Sequence, residues 1–364
     1  MWGTNSNGVF GDNTGTARST LVSPLLTTDY KNIYLTNTSF FEKADGTLWG
    51  TGANNYGQLG VESTLTNISS PVQIINGKYG AAGLNAAAVI KNDGTLWSAG
   101  IGTAGELGRN SVLNSSSFVQ EALGKTDWVK VGLNRNVALA LDSAGRLWAT
   151  GSNSYGQQGQ NGGGSRSTYT QIGTSTNWID FAIGDYTLAG LKNDGSVWAW
   201  GYNTTGVFGF NDKVDRSSPV QIGAGSIWTK VAIGSTVLLM LKSDGSIWGA
   251  GTNSDGRLGT GDKILRSSFT QMLGGPWKDF SISAQNTHML SKSGQLWATG
   301  TSSAAALLGK TGTSSPQMLD STYSWIKFGS RNLNVMGTYQ SALASNGALP
   351  TPTPFVSPTP TPTP

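Results

Sequence analysis

Short apolar runs, broken by glycine, serine, asparagine and aspartate, recur along almost the whole chain. Each run lasts only a handful of residues, which predicts strands joined by tight turns, not helices. Residues 228–272 show the pattern in full. Residues 228–234 alternate and stop at a glycine. Val237–Lys242 is continuously apolar up to its lysine. Ser243-Asp244-Gly245-Ser246 reads as a hairpin turn, with Asp-Gly expected to supply the positive φ angles of a type I′ turn. Ile247–Gly251 is a third run, residues 252–259 a loop, and residues 268–272 a fourth run. Four short antiparallel strands of this kind predict one propeller blade.

The pattern repeats. Tryptophan follows an apolar residue and precedes small residues ending in glycine at Trp2, Trp49, Trp97, Trp148, Trp198, Trp248 and Trp297, with gaps of 47, 48, 51, 50, 50 and 49 residues. A near-constant period of this size predicts a repeat architecture, here an all-β, seven-bladed propeller of four-stranded antiparallel blades over residues 1–349. The hairpin reads Asp45-Gly46, Asp93-Gly94, Asp194-Gly195 and Asp244-Gly245, with Ala144-Gly145, Ser293-Gly294 and Asn346-Gly347 as departures. The following loop carries Gly-x-x-Gly at Gly8/Gly11, Gly57/Gly60, Gly105/Gly108, Gly156/Gly159, Gly206/Gly209 and Gly256/Gly259. Glycine there implies left-handed backbone or close approach to another strand. Ser70-Pro71-Val72-Gln73-Ile74 and Ser218-Pro219-Val220-Gln221-Ile222 place proline where only an edge strand tolerates it.

Five further tryptophans, Trp128, Trp178, Trp228, Trp277 and Trp325, open first strands, and Tyr30 and Tyr79 take that place elsewhere. Their period predicts packing between neighbouring blades. Trp200 falls outside both sets and is a candidate for binding. The N-terminal Met1-Trp2-Gly3 matches a third strand and residues 23–26 a fourth, while residues 325–343 supply a first and second strand. The two ends are therefore expected to share one blade and close the ring, with Trp2 and Trp325 on either side. Pro350 stands where that blade would need its marker tryptophan. A blade split in this way is also a place where a second copy could exchange segments.

The unit Trp-x-x-Gly, Tyr/Asn-Gly-Gln-Leu-Gly and Ser-Pro-Val-Gln-Ile, preceded by Asp-Gly-x-Leu/Ile/Val-Trp, resembles the regulator of chromosome condensation repeat family, from Met1 to Leu349. The resemblance implies a seven-bladed propeller with the repeat offset from the blade. It also implies a choice among activities: nucleotide exchange on a small GTPase with chromatin binding, ultraviolet sensing through clustered tryptophans, or inhibition of β-lactamases. No long basic segment precedes the first repeat and the arginine-rich tryptophan motifs of the photoreceptor members are lacking. The chain thus looks most like bacterial and phage members that act as binding or structural modules. No catalytic residue is carried over.

Composition narrows the chemistry. Glycine is abundant, at 51 of 364 residues, and charged residues make up 12%, about half the usual share. There is no cysteine, which excludes disulfides, thiolate metal sites and cysteine nucleophiles. The single histidine, His288, lies in a predicted strand and reads as structural. The net charge is +4, but Lys and Arg are scattered, against the basic patch expected of a nucleic-acid partner. No apolar stretch is long enough for a membrane-spanning helix. Residues 1–3 lack the signature of a signal peptide. Four glutamates and sixteen aspartates, several used in turns, leave little for paired-acid catalysis. No enzyme activity, cofactor or metal is expected.

Function is then expected in residues that differ between repeats, on the face carrying the first-to-second and third-to-fourth loops. The candidates for a protein-binding face are Tyr56, Asn134, Arg135, Tyr155, Asp185, Tyr186, Trp200, Tyr202, Arg257 and Arg331, with Asn136, Asp255, Gln285, Asn286 and Asn332 beside them. Tyrosine, tryptophan and arginine are the types enriched at binding hot spots. Residues 350–364 are a different material, with seven prolines in fifteen residues. This segment reads as a polyproline II tether of roughly 45 Å, with Thr351, Thr353, Thr359, Thr361 and Thr363 as candidate carriers of O-linked sugars. Together these features predict a non-enzymatic structural or protein-binding module of an extracellular assembly, a virion appendage or surface filament, that self-associates through the split blade or the tail. The alternative is a soluble inhibitor or regulator of one protein partner.

Overall fold

The computed structural model describes residues 2–3, 5–17, 30–34, 36–63, 65–283, 285–301, 311–320, 325–328, 339–340 and 342–344. Six four-stranded antiparallel sheets follow one another: blade 1 (residues 30–73), blade 2 (79–120), blade 3 (128–171), blade 4 (178–222), blade 5 (228–271) and blade 6 (277–320). In each, the strands are hydrogen-bonded in chain order. Blade 5 runs Trp228–Ile233, Val237–Lys242, Ile247–Gly251 and Arg266–Gln271, close to the bounds its apolar pattern predicts.

The core lies between blades. The second strand of blade 3, Val137–Asp142, is buried along its whole length, so both of its faces are covered. One cluster joins Phe40, Leu48 and Leu59 of blade 1 to Ala87 and Val89 of blade 2. Equivalent clusters join blades 2 and 3, 3 and 4, 4 and 5, and 5 and 6. Trp128, Trp178, Trp228 and Trp277 each sit in one of them. First strands of neighbouring blades are linked by the ion pairs Lys130–Asp180 and Lys230–Asp279, which places these strands innermost. Fourth strands are the most exposed, with patterns such as that of Arg166–Gln171, and form the outer edge.

The Gly-x-x-Gly loop clasps the next blade. The Gly8 turn abuts Ser69 of blade 1, Gly57 abuts Ser116 of blade 2, and Gly256 abuts Ser314 of blade 6. A few residues on, a left-handed residue donates its N–H to the carbonyl of that same serine or its counterpart. Asn110 (φ 54°) bonds Ser167 O at 2.6 Å, Asn161 (φ 54°) bonds Ser217 O at 2.8 Å, and Asn211 (φ 61°) bonds Ser267 O at 2.7 Å. Asparagine is among the few residues that visit this region at modest cost. Loop and next blade therefore form one unit, which is why the sequence repeat is out of phase with the blade.

Two expectations are corrected. The hairpin turns are not type I′. Only the glycine has positive φ (Gly46 83°, Gly94 82°, Gly195 79°, Gly245 91°), and Gly46 N–H bonds Lys43 O at 3.1 Å. This is a three-residue loop, a turn followed by a left-handed glycine bulge. The aspartate stays on the negative-φ side because its Oδ1 accepts the N–H two residues on, as at Asp45–Thr47 (2.8 Å). Second, the described residues form six four-stranded blades, not seven. The seventh module appears as two two-stranded ladders, Trp2–Gly3 with Tyr339–Gln340 and Trp325–Phe328 with Ala342–Ala344. In blade 3 the two tryptophans pair with Asp142 and Ala140, two residues apart; here Trp325 pairs with Ala344 and Trp2 with Gln340, four apart. The slip of two leaves the terminal ladder only two pairs long. Residues 23–26, expected as its fourth strand, lie outside the described residues.

Candidate functional site

Loop chemistry on the first-to-second and third-to-fourth face is set by a recurring asparagine that the sequence reading passed over, buried in four of the five loops and half-buried at Asn153. Asn5, Asn54, Asn153, Asn203 and Asn253 each accept, through Oδ1, the N–H five residues later at 2.9–3.0 Å. Their amide nitrogens hold the far side of the loop, as Asn203 does on Val214 O at 3.2 Å. The recurring Gly-x-Asn after the third strand was the available signal. These rigid loops carry the variable side chains.

Between blades 3 and 4 six of the ten candidates meet. Tyr155, at the loop tip of blade 3, packs on Tyr202 and Tyr186 of blade 4, with ring centroids 4.9 and 5.1 Å away. Tyr186 and Tyr202 are 6.2 Å apart. The backbone beneath is fixed: Tyr155 N–H donates to Gln157 Oε1 at 2.8 Å, and Tyr202 N–H to Tyr186 O at 3.0 Å. Arg135 lies over the Tyr186 ring at 5.7 Å and pairs with Asp185 across the blade boundary, Nε to Oδ1 at 3.1 Å. Asn134 Nδ2 donates to the same carboxylate at 3.3 Å. Arg135 adopts φ 43°, an uncommon and strained value for a non-glycine residue. Its ion pair with Asp185 and its ring contact with Tyr186 hold it there.

Tyr155 is 39% exposed and Tyr186 and Tyr202 are half-buried, so the group offers aromatic area at the surface. The rings touch one another rather than surrounding a space. They form a surface, not a cage for a small cation. Asn134 is fully buried, and its Oδ1 has no hydrogen-bond partner among the described residues.

The other candidates are placed elsewhere. Tyr56 is exposed at the loop tip of blade 1, its N–H on Gln58 Oε1 at 3.0 Å. Trp200 is wholly buried between blades 3 and 4, its indole N–H donated to Gln157 O at 2.8 Å, so it belongs to the core and not to a binding face. Arg257 is also buried, paired with Asp255, while its carbonyl accepts the Thr287 hydroxyl at 2.7 Å. Asn286 is buried and bonds Thr301 O at 3.1 Å; Gln285 is exposed. Trp325 is buried. Arg331, Asn332 and the five threonines of the tail lie outside the described residues.

Acidic groups serve structure. In blades 1, 2 and 4 the hairpin aspartate accepts a Thr or Ser hydroxyl at 2.6 Å, and that hydroxyl accepts the marker indole N–H: Asp45–Thr47–Trp49, Asp93–Thr95–Trp97 and Asp194–Ser196–Trp198. In blade 5 Ser246 likewise accepts Trp248 at 3.1 Å. The hydroxyl bonds, then the backbone N–H, hold Asp45, Asp93 and Asp194 below the ordinary carboxylate value. Where Ala144 replaces the turn aspartate, Asp142 accepts Trp148 directly at 2.9 Å. Glu106 differs: it is buried, its Oε2 accepts Ala104 N–H at 2.9 Å, its Oε1 has no partner, and burial pushes its carboxyl above the ordinary range. Among the described residues no group of three His, Cys, Asp or Glu is placed to hold a metal, and no helix is long and apolar enough to cross a membrane.

Comparison with known proteins agrees with this architecture. Residues 45–81 and 194–241 match the Regulator of chromosome condensation (RCC1) repeat, and residues 178–207 match a second profile of the same repeat. No curated protein matches the chain in sequence. Among solved structures the fold is similar to human WBSCR16 (TM-score 0.80, 17% identity, covering 94% of this chain and 98% of that one). It is also similar to Prp20p of Saccharomyces cerevisiae (TM-score 0.79, 17% identity, 94% and 90%), a structure described together with binding to Gsp1p and histones. Yeast RCC1 (Prp20) in complex with Kap60 gives a TM-score of 0.78 at 16% identity, covering 95% and 89%. Stretches of the chain thus match the RCC1 repeat, and the described residues form an all-β propeller of four-stranded blades.

Proposed function

We propose that this chain is a non-enzymatic propeller that binds a protein partner through the loop surface between blades 3 and 4. The observation that carries the reading is the convergence of Tyr155, Tyr186, Tyr202, Arg135, Asp185 and Asn134 from two blades. Aromatic rings with few rotatable bonds, beside a half-buried charge pair, are the composition of an interface hot spot. That solved propellers of this fold are described with protein partners supports the reading. The test is affinity capture with the native chain and with Tyr155→Ala and Arg135→Ala, followed by binding measured on the purified partner. Loss of a hot spot worth about 2 kcal/mol weakens binding roughly 30-fold. Unchanged affinity in both variants contradicts the proposal.

The wider setting belongs to the same proposal: an extracellular assembly, supported by few charges and abundant Gly, Ser, Thr and Asn. So does the ring-closing role of Trp2 and Trp325, supported by the antiparallel pairing of Trp2–Gly3 with Tyr339–Gln340. Light scattering tests the assembly, which requires self-association of the purified chain. A strictly monomeric protein with one tight partner favours the second reading, a regulator of exchange-factor type, which the likeness to Prp20p supports.

A further inference from the structure

Blade 6 departs from its neighbours at the hairpin end, and the departures leave a cavity. In blades 4 and 5 the lysine paired with the first-strand tryptophan lies over two indoles. Lys192 sits 4.7 Å from Trp178 and 4.5 Å from Trp198, and Lys242 sits 5.2 Å from Trp228 and 4.5 Å from Trp248. In the same register Trp277 pairs with Ser291, which has no stem to cover Trp277 and Trp297. The hydroxyl that accepts the marker indole is missing as well, because Gln295 stands in its place and its Oε1 accepts the Ser293 hydroxyl at 3.3 Å. Among the described residues the buried indole N–H groups of Trp277 and Trp297 have no acceptor. Trp178 shares that condition but lies under Lys192. Trp277 and Trp297 meet edge to face at 5.8 Å. With Leu273, Pro276 and Pro316 they wall a cavity of about 480 Å³.

A wall of tryptophan and proline rings suits one kind of ligand. A polyproline II segment has no N–H at its prolines and presents free carbonyls, and its rings stack on tryptophan. This chain carries such a segment, residues 350–364, uncharged and with Phe355-Val356 at its centre. It also starts nearby. Trp325 N–H donates to Gly294 O, in the hairpin that borders the cavity, at 3.0 Å, and Ala344 is paired with Trp325. The five residues 345–349 span up to about 17 Å when extended, enough to bring Pro350 from that ladder to the cavity rim.

We propose that the tail, residues 350–364, docks in polyproline II form into the cavity between Trp277 and Trp297 of its own chain. The test compares the full chain with Ser291→Lys, which restores the residue type that blades 4 and 5 already accommodate, and with Trp297→Phe, which keeps an aromatic ring but reduces the area of the wall. Threonine methyl resonances of the tail report its mobility, and a free peptide of residues 350–364 competes in trans. Docking predicts slow-tumbling methyl signals in the native chain that sharpen to random-coil behaviour in Ser291→Lys, with peptide affinity for that variant lowered roughly tenfold or more. It also predicts that the signals do not depend on protein concentration and that both variants retain the native strand signature in circular dichroism. Random-coil tail signals in the native chain overturn the proposal. So does immobilisation that grows with concentration, which would mean docking on a second copy, or tail signals that Ser291→Lys and Trp297→Phe leave unchanged in folded protein.

Discussion

Glu106 provides a quantitative test of how the loops are built. It occupies the position held by Gln58 in blade 1 and Gln157 in blade 3, where the amide oxygen accepts a backbone N–H two residues earlier. Glu106 Oε2 makes the equivalent bond to Ala104, but Oε1 is buried without a partner. Glu106→Gln keeps the acceptor and removes the charge. Leaving a buried charged group unpaired costs about 1–3 kcal/mol or more, and a neutral amide in the same place costs less, so the variant should be more stable than the native chain by about 1 kcal/mol or more at pH 7. With m of about 3 kcal/mol/M, the urea midpoint rises by about 0.3 M or more. The sign with pH is fixed by the raised carboxyl. The folded chain holds this proton more firmly than the unfolded chain does. The penalty is therefore absent below the ordinary value of 4.5, grows as pH rises through the raised folded value, and is constant above it. Urea unfolding followed by tryptophan fluorescence at pH 7 and pH 4 checks both parts. A destabilised variant at pH 7, or a gain equal at the two pH values, refutes the reasoning.

Three further outcomes follow from the same frame. Gly256→Ala places a methyl within 2.6 Å of Ser314 Cα at φ 78°, and should cost about 2–5 kcal/mol by strain and overpacking together, read as a fall in denaturation midpoint. Trp200→Ala, which empties an interblade core position, should destabilise by about 3–5 kcal/mol; a surface role would leave the midpoint unchanged. The hairpin aspartates Asp45, Asp93 and Asp194 have lowered folded values, so the stability they contribute is present above 3.8 and is lost as pH falls below it. Thr95→Ala, which removes the hydroxyl that Asp93 accepts, should weaken that acid-dependent loss in a pH titration of the melting temperature.

The frame was legible because each blade must solve the same packing problem. The tryptophan period located the third strands, and the aromatic openers located the first strands at Trp128, Trp178, Trp228, Trp277 and Trp325. The glycine loops were recognised as sites of left-handed backbone and close approach. Their partner, a serine on the following blade, was not, because contact between successive units leaves no local pattern. Trp200 and Arg257 look like exposed variable residues in sequence, yet the neighbouring blade covers both. The tyrosine cluster was half-legible. Its members were singled out by residue type and loop position, while their meeting depends on Tyr155 reaching across a blade boundary. The turn type was misread because Asp-Gly also suits the glycine-bulge loop once the aspartate side chain bonds forward. The seventh blade failed where regular spacing gives way to a slipped two-pair ladder.

The most direct test of the docking surface is site-specific photo-cross-linking in the native source. A photoreactive residue at position 155 should yield one discrete protein adduct, and Arg135→Ala should abolish it. The same residue at Ile227, which is 64% exposed and lies beside the Gly195 hairpin on the opposite face, should yield none. Adducts from position 227 without adducts from position 155 would contradict the account.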